Sequence, residues 1–229
     1  MADTLSVFAS NATRAVLDEL EPELERASGA RITISYDPAQ IMLKRVAAGE
    51  SADLAILNQA ATDALAAAGK LLPESRRTLA RCGVGVGVRA GAPKPDISTV
   101  DAFKRAMLEA KSIAHTTQGA SGIHFTGLVE RLGIADAVRA KAVNNPGGLI
   151  GELVIAGKAE IAIQQIPELM AVPGIEVVGP LPQELQSISV ITAGIFATSQ
   201  RSAAARAALE FLTTPAAARA FRAKGLEPA

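Results

Sequence analysis

The 229-residue chain has no tryptophan, one tyrosine, two histidines and a single cysteine, Cys82. A lone cysteine forms no internal disulfide and builds no thiolate metal site. His115 and His124 stand far from any metal-ligand spacing, so no metal and no cofactor are expected. An excess of one charge is also missing. Lys plus Arg and Asp plus Glu both number 23, which leaves no net field to recruit nucleic acid or an anionic membrane. No basic stripe with interleaved aromatics replaces it, so no nucleic-acid partner is expected. Apolar runs all stop short of the ~20 residues that a membrane span requires. No signal peptide is recognisable, and Met1-Ala2-Asp3-Thr4 reads like an initiator ahead of a processed N-terminus. The expected location is therefore periplasmic if a native leader was removed, and cytoplasmic otherwise.

What the chain does have is a repeated strand–loop–helix texture, first seen in TLSVFASNATRAVLDEL. Leu5, Val7 and Phe8 are β-formers, Ala9-Ser10-Asn11 interrupts them, and apolar residues then return at helical spacing from about Ala12. Ser10 or Asn11 can cap that helix, and Ser28-Gly29 can end it. A strand (RITISY), a helix opened by Pro38, a short buried strand (DLAIL) and a helix capped by Asn58 follow. This succession predicts an α/β fold with a parallel sheet covered on both faces.

Between residues 83 and 91 the texture changes to alternating Gly and Val with no helix behind it. Glycine at every second position is not a dinucleotide fingerprint, since no helix follows to receive a phosphate. The run reads as a strand whose glycines permit close backbone approach. Beyond it a second set of short strands and helices is predicted, with 143–148 as a loop feeding a helix over 149–156 and no structure assigned to 166–170. A long β-rich stretch, SISVITAGIFA, then precedes two C-terminal helices. With no linker or tandem repeat, the pattern predicts two Rossmann-like lobes, 1–86 plus 188–229 and 87–187, joined by two hinge crossings.

Four loops share one design, a strand's carboxyl end leading into a helix start rich in small polar residues: 9–12, 37–40, 116–122 and 144–149. Free N–H groups and the helix dipole at such positions suit an anion. If the lobes face each other across a cleft, the four sets converge and hold an oxyanion without Arg or Lys. Each loop taken alone reads equally as an ordinary capped helix. The neutral lining so assembled is Ser10, Asn11, Gln40, Asn58, Thr116, Gln118, Ser121, Gln164 and Gln165, and it suits a small carboxylate at least as well as an inorganic oxyanion.

The order of VFASNA, SGARITISY, AAGESADLAIL, TTQGASGI and TTPAAARAFRAKGLEP resembles the type II periplasmic solute-binding fold, and within it the molybdate-binding proteins of ABC importers. The resemblance covers nearly the whole chain and implies a monomeric binding protein that serves an ABC importer membrane subunit. It places the family's two ligand-clasping serines at Ala12 and Ala39, which keep their N–H groups but lack hydroxyls. The third contact falls at Ser121, the fourth near Gly148 and Leu149, and a family tyrosine at Gln165. Losing two buried hydroxyls forfeits on the order of 1 kcal/mol each, which favours an organic carboxylate over molybdate. His115 is the one histidine placed for proton transfer; His124 reads equally as packed. An aconitate-isomerase-like branch of the superfamily, acting on a small tricarboxylate, is the alternative in which His115 is catalytic. No Ser/His/Asp array supports hydrolysis. Binding without catalysis is the expectation.

Overall fold

A computed structural model describes residues 4–229; the reading of Met1-Ala2-Asp3 lies outside the described residues. Strands and helices alternate as β1 (Thr4–Ala9), α1 (Arg14–Ser28), β2 (Arg31–Tyr36), α2 (Ala39–Ala47), β3 (Leu54–Asn58) and α3 (Gln59–Ala67). Next come β4 (Arg77–Arg89), α4 (Val100–Glu109), β5 (Ile113–Thr116), α5 (Ala120–Arg131), α6 (Ala135–Arg139), β6 (Ala142–Asn145), α7 (Gly151–Ile155) and β7 (Ile161–Gln165). The chain finishes with α8 (Ile166–Met170), β8 (Ile175–Pro180), β9 (Ile188–Ile195), α9 (Ser202–Leu212), α10 (Pro215–Ala223) and β10 (Glu227–Pro228). The expected α/β class is observed.

The chain divides into two compact units. One reaches Cys82 and resumes over Ser189–Ala229, and the other spans Gly83–Ile188. The first crossing falls four residues earlier than the sequence pattern placed it. β4 runs unbroken through that point, so no turn marks the boundary.

In the first unit β1 lies between β2 and β3, both parallel to it, and β9 pairs antiparallel with β3. Alternation along β1 sends Leu5, Val7 and Ala9 into the layer under α1, α9 and α10, while Phe8 joins Met42, Val46, Leu65 and Phe196 on the opposite face. The sheet is thus buried on both faces, as parallel sheets require. Gly29 closes α1 at φ 67°, a left-handed position that glycine adopts without strain.

A buried carboxylate ties three segments of this unit together. Asp53 Oδ2 accepts from the Ser6 N–H at 2.8 Å and the Ser6 hydroxyl at 2.9 Å, while Oδ1 accepts from the Ser199 hydroxyl at 2.7 Å. The Asp53 backbone closes the knot, donating to Ser6 O and accepting from the Phe196 N–H. β1, β3 and the segment after β9 are all held by this one residue.

The second unit orders its strands β8-β4-β7-β5-β6, with β5 parallel to β6 and β7 and with β4 antiparallel to β7 and β8. Its valines Val84, Val86 and Val88 point into the core with Phe103, Met107 and Phe125. The glycines between them leave the other face bare. A Cβ on Gly85 would stand 2.8 Å from Ile166 Cγ1, and one on Gly87 3.0 Å from Leu169 Cδ2. α8 sits where those side chains would be. Gln186 extends the ladder with its side chain, accepting from the Val84 N–H at 2.8 Å and donating to Val84 O at 2.9 Å.

Five elements differ from the sequence pattern. Residues 142–145 form strand β6 rather than a loop, because pairing of Asn144 opposite His115 and Asn145 opposite Thr116 overrides weak β propensity. The helix expected over 149–156 is the five-residue α7. α8, opened by Pro167, and β10 are too short to leave a periodic signal. A 3-10 turn, Asn11–Thr13, occupies the stretch where α1 was expected to start.

The Asp53 knot predicts a pH-dependent stability. Burial pushes this carboxyl up, but the Ser6 N–H, the Ser199 and Ser6 hydroxyls and the Arg201 charge outweigh it and hold it below its ordinary value. The unfolded chain therefore takes up the proton first. The stabilisation is complete above about pH 3.9 and disappears as pH falls through the folded-state value. Asp53→Asn should cost about 1–3 kcal/mol at pH 7, and urea titrations should show the difference from wild type shrinking below pH 4.

Candidate functional site

In the first unit, β1 ends where Ser10 N–H donates to Ile56 O at 2.9 Å, which fixes the start of the 10–13 turn against β3. Ser10 Oγ accepts from the Ala12 N–H at 3.3 Å, and the Thr13 hydroxyl donates to Ser10 O at 2.8 Å. Of the two cap candidates, Ser10 performs the role. Asn11 and Ala12 are buried in the turn. Pro38 O receives the Ile41 and Met42 N–H groups, leaving those of Ala39 and Gln40 ahead of the first intrahelical bonds. Gln40 itself is exposed. Asn58 Oδ1 accepts from the Ala61 N–H at 2.9 Å, so its carbonyl caps α3 and only its amide N–H groups remain to donate.

Two residues absent from the sequence reading join this surface. Arg14 opens α1 with its guanidinium stacked 4.2 Å from the centre of the Tyr36 ring. Its Nε is buried without a partner, and among the described residues the guanidinium makes no hydrogen bond or ion pair. A cation at the positive end of a helix is electrostatically misplaced, which is the signal that could have marked it. The Tyr36 hydroxyl donates to Asp18 at 2.7 Å, and burial first, then that bond, keep it protonated well above the usual phenol range. A site needing no Arg or Lys was expected. Arg14 is a basic residue at the start of α1 that the sequence reading did not single out.

In the second unit, Thr116 ends β5 directly beneath the first turn of α5. A methyl on Gly119 or Gly122 would collide with Thr116, so both glycines are required by this close packing. The Thr116 hydroxyl oxygen is buried with no hydrogen-bond partner, and the Ser121 hydroxyl likewise makes none among the described residues. The Ile123 N–H returns to Gly119 O at 3.0 Å, so the N–H groups ahead of it are unpaired at the helix start. A helix start of this kind is suited to an anion. Gln118 is held beside it, its N–H donating to Pro146 O at 3.1 Å.

The fourth loop is organised by a side chain that was expected to face ligand. Gln164 Oε1 accepts from the Ile150 N–H at 2.9 Å and its Nε2 donates to Gly148 O at 2.8 Å. Each end of the amide makes one bond to the loop, so Gln164 holds Gly148 and Ile150 in place. Gln165 is buried as the N-cap residue of α8.

His115 lies elsewhere. Its Nδ1 is 3.0 Å from Thr116 O, and since a carbonyl only accepts, Nδ1 carries the proton and Nε2 is the free base. Burial holds the imidazole below its ordinary value, partly offset by that bond. The ring packs edge-on against Phe125, 5.2 Å between centres, and lines a pocket with Thr117, Thr126, Val138, Arg139 and Asn144. Ser121, Gly148, Leu149, Gln164 and Gln165 are not part of that pocket. His124 is packed, with Nε2–H donating to Leu185 O at 2.8 Å.

The fold and these loops define the class, a type II periplasmic solute-binding protein. The chain belongs to the bacterial extracellular solute-binding protein family, whose model matches residues 5–227. It is 35% identical to an aconitate isomerase from Pseudomonas sp over 231 aligned residues, covering 98% of this chain and 88% of that one. Among solved structures it resembles the periplasmic molybdate-binding protein of Azotobacter vinelandii, with a TM-score of 0.81, 18% identity and coverage of 97% and 98% of the two chains. The sulfate-binding protein SubI of Mycobacterium tuberculosis gives a TM-score of 0.76 at 19% identity, covering 99% of this chain and 87% of that chain. No helix among the described residues is long and apolar enough to cross a membrane.

One further buried group escaped the sequence reading. Glu168 sits in the first turn of α8 and accepts the N–H of the cap residue Gln165, half of a capping box. Complete burial, only partly offset by that bond, pushes its carboxyl up to about 8. The folded state thus retains a proton that the unfolded chain gives up near pH 4. The contribution is full below that pH and is lost as pH rises through about 8. Glu168→Gln keeps an acceptor for Gln165 without the charge. Thermal denaturation between pH 5 and 9 should show the variant gaining on wild type as pH rises, by a few kcal/mol at the alkaline end.

Proposed function

We propose that the protein reversibly binds a small organic anion carrying more than one carboxylate, in the periplasm and as a monomer, and delivers it to an ABC importer. The observation that carries this reading is Arg14. A guanidinium held on Tyr36 without a counter-ion presents the planar fork that matches a carboxylate. In the second unit the α5 start carries the Ser121 hydroxyl and unpaired N–H groups, neutral donors that suit a carboxylate oxygen. Ala12 and Ala39 offer backbone N–H groups alone. The solute-binding family supports binding of a small solute, and the full-length relative named as an isomerase of aconitate supports a carboxylate over molybdate.

A thermal-shift panel of molybdate, sulfate and di- and tricarboxylates tests the reading. A carboxylate at 100 times its dissociation constant should add about 2.7 kcal/mol of stability. Arg14→Gln should weaken binding by roughly 1.5–3 kcal/mol, which removes half or more of that response, and Ser121→Ala should weaken it by about 1 kcal/mol. A response to molybdate alone, unchanged in Arg14→Gln, would refute it.

The same relative favours a second reading, a proton-transfer isomerase with His115 as base. Its Nε2 is unprotonated and its lowered pKa keeps it so near neutral pH. Against this, its pocket contains none of the α5-start or Gly148–Leu149 groups. Incubation with cis-aconitate in deuterated water, followed by NMR, separates the two. The binding reading expects no solvent exchange. Exchange that drops about 10²–10⁴-fold in His115→Gln would establish the isomerase.

A further inference from the structure

We propose that the second unit carries a separate ligand site, the pocket under α5 and α6, which takes a small uncharged alcohol or phenol whose hydroxyl donates to His115 Nε2. The pocket has a volume of about 400 Å³, within the usual range for small-molecule sites of roughly 300–1,000 Å³. Its walls are Phe125, Val129, Val138 and Ala142, and its polar groups are His115, Thr117, Thr126, Arg139 and Asn144.

The hydrogen-bond inventory selects the ligand. His115 is 7% exposed, its Nδ1–H is committed to Thr116 O, and Nε2 has no partner among the described residues. That nitrogen can only accept. The Thr126 hydroxyl spends its proton on Gly122 O at 2.9 Å, so toward the pocket it too offers an acceptor. At the His115 end of the pocket a fitting molecule must therefore bring a donor, while Thr117 and Asn144 can donate to or accept from its other atoms. Arg139, the one cation of the lining, is already paired with Glu130 and with Asp136, so the pocket offers no free counter-ion to an anion. An apolar body against Phe125, Val129 and Val138 completes the match. None of this depends on the carboxylate reading, which rests on other residues.

Phenol and cyclohexanol, with acetate as the anionic control, are the probes. They are titrated into the 15N-labelled full chain while the His115 ring and the Thr117 and Asn144 amides are followed by NMR. Phenol should shift these resonances saturably, with a dissociation constant on the order of 1 mM, and acetate should not. His115→Phe should weaken binding about tenfold. Ala142→Phe, on the edge strand β6, should fill the pocket and abolish it while leaving the thermal response to carboxylates intact. Should His115→Phe fail to fold, Ala142→Phe carries the test. No saturable shift in the millimolar range, equal shifts with acetate, or undiminished binding in Ala142→Phe would overturn the proposal.

Discussion

The first unit depends on one carboxylate. Asp53 belongs to the ADLAIL stretch that carries the family resemblance, and its role is mechanical: it gathers the N–H and hydroxyl of Ser6 with the hydroxyl of Ser199. Those groups sit on segments far apart in sequence. With β1 locked to β3, Ser10 reaches Ile56 O and the 10–13 turn acquires its shape. Arg14 then begins α1 over Tyr36. The geometry of the 10–14 stretch is inherited from a residue that lies outside it.

Arg14 also bears on selection. Neutral donors and helix dipoles accept any oxyanion of suitable size, because they add charge density without direction beyond a few N–H vectors. A guanidinium fork is directional and planar, and stacking on an aromatic ring limits its rotation. The sequence departures at Ala12 and Ala39, which remove two hydroxyls, and the appearance of an unpaired cation two residues after Ala12 act in the same sense. In the proposed reading they favour a ligand with a planar acceptor over a compact inorganic ion.

Most of the strands and helices were legible in the sequence because their signals are local. Gly29, Pro38 and Asn58 mark helix ends by their own chemistry, and each stands at a helix end in the structure. β6 was not legible, since Val-Asn-Asn has no strand pattern and pairs only because β5 offers an edge. The site was partly legible. Loop positions followed from helix starts, yet the roles of Gln164 and Arg14 depended on partners distant in the chain: Gly148 and Ile150 for one, Tyr36 for the other. His115 was identified as the histidine worth attention, but strand alternation, which decides the layer its ring enters, requires the exact register of β5.

The interrupted course of the first unit has a consequence for biosynthesis. β9 pairs with β3 across Leu54 to Asn58, but the ribosome delivers β9 only after every residue of the second unit. Until then β3 offers a bare hydrogen-bonding edge next to a hydrophobic sheet, the kind of surface that recruits other chains. The second unit is contiguous and can close as soon as it emerges. The nascent protein is therefore most exposed to misassociation in its earliest-made part, and the late arrival of β9 with α9 and α10 is the step that removes the hazard.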